Sequence, residues 1–330
     1  MENKNKSKSS KINLSQLVLL GLGSLIGSGW LFGAWEASSI AGPAAIISWI
    51  IGFIVIGTIA YNYIEIGTMF PQSGGMSNYA QYTHGSLLGF IAAWANWVSL
   101  VTIIPIEAVS AVQYMSSWPW EWAKPMGALM KDGSISTIGL FAVYVIIAIF
   151  SLLNYWSVKL LTSFTSLISV FKLGVPLLTI IMLMISGFDT NNYGHSASAF
   201  MPYGSAPIFA ATTTSGIIFS FNAFQTIINM GSEIKNPEKN IARGIAISLT
   251  LSAILYIVLQ STFITSMPSS MIHEHGWNGI NFNSPFADMA ILLGINWLAI
   301  LLYVEAVVSP FGTGVSFVAV TGRVLRAMEK

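Results

Sequence analysis

Apolar residues run along this chain in long stretches separated by short polar connections. Eight stretches are long enough to cross a bilayer, at about 15–36, 42–69, 86–115, 135–156, 160–187, 207–232, 243–266 and 288–320. A span needs roughly 20 apolar residues. Longer runs therefore predict tilted or interrupted helices. The pattern predicts an all-α polytopic membrane protein: a polar tail over 1–12, one membrane domain over 13–322, and a short polar end over 323–330.

The first run is broken in its middle by small residues, Gly21-Leu22-Gly23-Ser24-Leu25-Ile26-Gly27-Ser28-Gly29-Trp30. A second break is read at Ser220-Phe221-Asn222-Ala223, about 195 residues further on. In lipid every backbone N–H and C=O must be paired internally. A helix unwound at mid-membrane therefore needs another partner for those groups. Paired interruptions of this kind point to a transporter binding site.

Composition supports the membrane reading. The chain is 54% hydrophobic and 8% charged, with a mean hydropathy of +0.69. Soluble domains carry about 25% charged residues. Of the 14 basic residues, 11 fall on one side of the predicted topology. They are Lys4, Lys6, Lys8, Lys11, Lys159, Lys235, Lys239, Arg243, Arg323, Arg326 and Lys330. Lys124 and Lys131 fall on the other side, and Lys172 lies within a span. By the positive-inside rule both ends are expected in the cytoplasm. The N-terminus lacks the pattern of a cleavable signal. With no cysteine there is no disulfide, haem-attachment motif or thiolate metal site. The net charge of +1 gives no reason to expect a nucleic-acid partner, and no cofactor is expected.

Gly27-Ser28-Gly29-Trp30-Leu31-Phe32-Gly33 has one residue too many for a dinucleotide fingerprint and sits in an apolar run. Gly23–Gly27 and Gly29–Gly33 are small-xxx-small pairs, which helix packing alone could explain. Packing does not explain Gly-Ser-Gly between them. Unwinding there would free N–H groups at the start of a half-helix, a good carboxylate site. Phe219, Phe221 and Phe224 flank the second break, either closing over a ligand or forming core. Asn222 could select a polar substrate group.

Lys172 is the only base inside a span. A central Lys costs roughly 2.5–3.5 kcal/mol on insertion scales, so it reads as functional by default. Its ammonium could stand in for a bound cation beside Ser309 and Thr313, and could exchange a proton during transport. A fixed structural ion pair is the other reading. Glu107 and Glu305 lie deep enough to be proton carriers or cation ligands, or to be neutral and hydrogen-bonded. Trp118, Trp120 and Trp122 suit an interfacial belt.

Three segments together resemble the amino acid–polyamine–organocation permeases. They are Ile26 to Gly33, Phe70-Pro71-Gln72-Ser73-Gly74-Gly75, and Glu233-Ile234-Lys235-Asn236-Pro237-Glu238-Lys239-Asn240-Ile241. Span 8 and its exit, Ser309 to Gly314 and Thr321 to Leu325, fit the same pattern. The first segment is similar to the bacterial and archaeal branch that includes aspartate–proton symporters. The resemblance implies an inverted five-plus-five repeat with discontinuous helices 1 and 6 and alternating access. By it, Gly27, Ser28 and Gly29 would bind the substrate carboxylate. Carbonyls near Phe219 to Asn222 would bind its amino group, and Phe219 would gate the site. Lys172 matches a lysine linked to proton coupling and sodium independence.

Members of that family usually carry more spans than these eight. The second repeat is therefore expected to be incomplete, with further helices in a missing C-terminal portion. The expected function is proton-coupled symport of an amino acid, an acidic one weakly favoured, across the cytoplasmic membrane. The expected partners are the substrate, protons and the bilayer. The expected site is Gly27, Ser28, Gly29, Phe219, Ser220, Phe221, Asn222 and Ala223, with Lys172, Glu107 and Glu305 in coupling. An exchanger of the same family and a truncated, non-transporting membrane protein are the alternatives. The loops show no paired catalytic motif, so no enzyme is expected.

Overall fold

The computed structural model of the chain describes residues 11–72, 74–156 and 158–328. Lys4, Lys6, Lys8, Ser73, Lys330 and the side chain of Lys159 lie outside the described residues. Span 1 is two helices, α1 (Leu14–Leu25) and α2 (Gly29–Ala41). Span 2 is α3 (Ala45–Met69). Next come α4 (Gly75–Val101) and α5 (Ile103–Ser116), and a short hairpin, β1 (Met130–Lys131) with β2 (Ser134–Ile135). Spans 4 and 5 are α6 (Thr137–Trp156) and α7 (Val158–Ser186). After the short α8 (Ala197–Phe200), span 6 consists of α9 (Ala206–Thr214), α10 (Ile217–Phe221) and α11 (Gln225–Asn229). Span 7 is α12 (Pro237–Ser266). Two connecting helices, α13 (Ser269–Gly279) and α14 (Pro285–Leu292), lead to span 8, α15 (Asn296–Met328).

Among the described residues, five helical stretches are long and apolar enough to cross a membrane. The interruptions leave Leu14–Leu25 and Ile217–Asn229 as shorter apolar helices. The chain is a multi-pass, all-α membrane protein. Large apolar side chains such as Ile54, Phe141 and Ile185 stay exposed on the outer helix faces. That much exposed apolar surface fits contact with lipid.

The first interruption falls where the sequence places it. The second differs. Ser220 and Phe221 are helical, and Asn222–Phe224 tightens into a 3-10 turn. The helix stops at Thr214 and restarts after Gly216, whose φ of +79° suits glycine. Gly216 therefore ends α9 as a C-terminal cap rather than opening a gap five residues later.

Within α4 the chain turns at Gly85, with φ +79°. The helix Gly75–His84 folds back along the following one: a side chain at Gly89 would meet Gln81 Cβ at 2.7 Å. Span 3 thus begins just after Gly85, as its apolar run predicts.

The centre of the molecule is α12, against α1, α2, α3 and α7, while α15 lies against α4, α5, α6 and α7. Glycines permit the closest approaches: a side chain at Gly244 would meet Leu17 Cδ2 at 2.8 Å. A parallel bridge joins the chain entering α1 to the chain leaving span 6. Ile12 N–H donates to Glu233 O and Lys235 N–H to Ile12 O, both at 2.9 Å. The two interrupted spans are thereby tied together at one face. Trp118 and Trp120 pack on the core, with Trp120 6.1 Å from Tyr303, while Trp122 is exposed.

Candidate functional site

The gap between α1 and α2 exposes carbonyls on one side and amides on the other. Helix ends leave such groups without intrahelical partners. Side chains from other spans take them up. Tyr256 on α12 donates its hydroxyl to Leu25 O at 2.7 Å. Lys172 on α7 donates to Gly23 O at 2.8 Å and to Thr313 Oγ1 at 2.5 Å. On the other side, Ser28 N–H donates to both carboxylate oxygens of Glu107 on α5, at 3.1 and 3.3 Å.

This pairing follows the helix dipole. The C-terminal end of α1 carries partial negative charge and faces an ammonium; the N-terminal end of α2 carries partial positive charge and faces a carboxylate. Lys172 is buried, and Glu107 and Glu305 are buried carboxylates of the same membrane domain. Among the described residues neither carboxylate closes to a salt bridge with it.

A small cavity opens at the gap. It is lined by Ser24, Leu25, Gly27, Gly29, Ile103, Glu107, Phe219, Ser220, Ala223, Thr313 and Phe317. Its free space is about that of one water molecule. Nothing larger fits unless the surrounding helices part. The glycines set the walls. A side chain at Gly27 would collide with the Glu107 carboxylate, and one at Gly29 would lie 2.7 Å from Ser220 Oγ. Gly33, by contrast, packs against the Trp49 ring.

The residues singled out from sequence separate into three groups. Gly27, Gly29, Glu107, Phe219, Ser220 and Ala223 line the cavity, and Ser28 contributes its N–H at the rim. Lys172 stands behind the α1 end. Phe221 lies elsewhere, wholly buried against Trp49, Tyr256 and Phe53 at ring distances of 5.9, 5.4 and 6.2 Å. Asn222 turns away from the cavity, donating to Ser99 Oγ at 3.1 Å and accepting from Gln225 Nε2 at 2.7 Å. Glu305 is fully buried on α15 with neither oxygen partnered among the described residues. Sequence reasoning missed Tyr256, although a lone tyrosine in the apolar run Ile254-Leu255-Tyr256-Ile257-Val258 was a visible signal. It also missed Ile103 and Phe317, whose apolar side chains carry no signal of their own.

Comparison with known proteins places these residues in context. A family model described as amino acid permease matches residues 12–330. The chain is 53% identical over 314 residues to a glutamate/serine transporter, AimA, of Bacillus subtilis (strain 168), covering 95% of this chain and 58% of that protein. It is 36% identical over 323 residues to an aspartate-proton symporter of the same organism, covering 97% and 60%. A methylthioribose transporter, also of that organism, is 28% identical over 299 residues, covering 89% and 63%. The chain thus spans about three fifths of the length of these relatives.

Proposed function

The chain belongs to the amino acid permease family, and on that footing we propose that it carries an amino acid across the cell membrane by alternating access. The observation that carries this reading is the gap between α1 and α2, with its two ends held by side chains of opposite charge around one cavity. The solute carboxylate takes the N–H groups at Ser28 and Gly29. Its ammonium takes carbonyls near Phe219 to Asn222. Phe219 closes the cavity, and α1–α2 and α9–α11 are the discontinuous helices of an inverted repeat. Both ends of the chain face the cytoplasm.

Transport is coupled to protons through Lys172, Glu107 and Glu305. A buried ammonium that donates to the α1 carbonyls holds that half-helix in place, and losing the proton releases it. An acidic or small polar amino acid is the favoured solute. The support is that relatives of this chain carry the names glutamate/serine transporter and aspartate-proton symporter.

The test is uptake of labelled amino acids by the chain in proteoliposomes under an imposed inward proton gradient. Gradient-driven uptake of glutamate, aspartate or serine, lost in Lys172→Ala, is the expected result. Uptake indifferent to the gradient, or unchanged in Lys172→Ala, overturns the coupling. No uptake of any amino acid, by correctly inserted chain or by a chain extended to the length of its relatives, overturns the transport reading.

A further inference from the structure

The 3-10 turn after α10, together with α11, which packs against α4, carries three amides at helical spacing, Asn222, Gln225 and Asn229. On α4 stand Ser77, Asn96 and Ser99. Asn222 donates to Ser99 Oγ at 3.1 Å, Gln225 to Asn222 Oδ1 at 2.7 Å, and Asn96 to Ser77 Oγ at 3.4 Å. The rest of their capacity is unmet. Gln225 Oε1, Asn96 Oδ1 and both polar side-chain atoms of Asn229 are buried without a partner among the described residues. Asn96 and Gln225 are each 8% exposed and Asn229 is 4% exposed.

Unpaired buried amides are costly, and an interface that never opens would pair or omit them. The same molecule shows the paired case. Gln260, fully buried, donates to Ala34 O and Ser38 Oγ at 3.2 and 2.8 Å and accepts from Trp49 Nε1 at 2.9 Å.

The seam has two definite ends. Asn222 lies beside Ala223, a cavity wall. Asn229 O accepts Gly74 N–H at 2.8 Å, at the start of the helix Gly75–His84. That helix holds the seam through Ser77 and is flanked by two glycines in the left-handed region, Gly74 at φ +67° and Gly85 at φ +79°. A Cβ at Gly85 would touch nothing within 4 Å. A Cβ at Gly74 would lie 2.8 Å from Ala327 Cβ, so the hinge at Gly74 packs against α15 and the open hinge is Gly85.

We propose that this amide seam is the route of the solute between the cavity and the face bearing Gly74, with the helix Gly75–His84 as its movable cover. The proposal rests on the transport reading above. Once the cover moves, water and solute satisfy the free amide groups. The six seam side chains are neutral and both donate and accept, so they can pass a carboxylate and an ammonium in turn without trapping either.

The chain contains no cysteine, so single cysteines read the seam without background. Asn96→Cys, Gln225→Cys and Asn229→Cys are each exposed to a charged, membrane-impermeant thiol reagent in vesicles of either orientation. The near-isosteric Ser77→Cys guards against variants that do not fold. Ile227→Cys and Ile228→Cys, at positions fully buried on α11, are the controls. Seam cysteines should react from the Gly74 face alone, at least about tenfold faster than the controls, as for a minor open state in exchange. Reaction no faster than the controls, or equal from both faces, overturns the route. Uptake is measured on the same samples. Uptake with silent seam cysteines overturns this inference alone, while uptake absent both here and in a chain extended to the length of its relatives overturns the transport reading whatever the cysteines do.

Discussion

Glu107 holds the Ser28 amide with both carboxylate oxygens, at 3.1 and 3.3 Å, on the first turn of α2. An acid of the protein thus occupies the Ser28 N–H that, on the transport reading, a solute carboxylate would use. Two anions cannot share that helix end. On the transport reading, solute displaces Glu107, and displacement is easier when Glu107 carries a proton.

Glu107→Gln removes the competing charge and keeps an acceptor for Ser28. A hydrogen bond to a charged group contributes about 1.5–3 kcal/mol. The variant should bind the solute at least about tenfold more tightly at neutral pH, a difference of about 1.4 kcal/mol. Its affinity should also vary less with pH than that of the parent. Titration of labelled solute onto purified protein across a pH series checks both. An affinity and pH slope equal to the parent's would remove the competition.

Gly29 and Ser220 bring the two interrupted spans into contact. A methyl at Gly29 would lie 2.7 Å from Ser220 Oγ but 3.7 Å from Ser220 Cβ. The clash belongs to the hydroxyl. Gly29→Ala should destabilise by about 1–3 kcal/mol, the usual cost of overpacking. Adding Ser220→Ala to the same chain should recover most of that loss. Thermal melting of the single and double variants is the measurement. A double variant no more stable than Gly29→Ala would show that the strain lies elsewhere.

Asp288 lies on α14, outside the spans, and accepts Ser284 N–H at 2.9 Å. Burial pushes its carboxyl above the ordinary range, and the Ser284 and Asn283 amides pull it part of the way back. A raised value in the folded state means folding favours the protonated form. Below the ordinary aspartate value, about 3.9, the group is neutral folded or unfolded and costs nothing. The penalty grows as pH rises from there through the folded value, then stays constant. Asp288→Asn keeps the acceptor and loses the charge. The parent should therefore lose melting temperature relative to Asp288→Asn between about pH 4 and neutrality. Parallel curves would contradict it.

The long apolar runs made the helices legible, because a bilayer-spanning helix writes its length directly into composition. The first interruption was legible for a similar reason: Gly27-Ser28-Gly29 removes the side chains whose packing would otherwise hold a continuous helix. The second was misplaced because polar residues at Ser220 and Asn222 were read as a break. Ser220 makes an intrahelical bond and Asn222 opens a 3-10 turn, while Gly216 supplies the sharper stop. Phe221 and Asn222 show the limit of neighbourhood in sequence. Adjacent positions on a helix point about 100° apart, so membership of the segment did not decide which side chains reach the cavity. The partner of the α1 end that was missed, Tyr256, lies 231 residues from Leu25 in sequence and is fixed only by packing.

Lys172 makes two contacts of different kinds, one to Gly23 O at the α1 end and one to Thr313 Oγ1 on α15. They can be separated. Thr313→Val removes an acceptor and leaves the cation on the α1 carbonyl. Lys172→Met removes the cation and leaves Gly23 O to find another donor. If the ammonium couples transport to protons, Lys172→Met should transport without responding to a proton gradient. Thr313→Val should keep that response and lose about 1 kcal/mol of stability, the net value of one hydrogen bond. For a chain of this size that is a fall of about 1–2 °C in melting temperature. Initial uptake rates with and without the gradient, alongside melting curves, separate the two variants. Retained gradient response in Lys172→Met would make Lys172 a clamp on α1 alone. Loss of response in Thr313→Val would mean that the link to α15, rather than the charge by itself, transmits the proton's arrival.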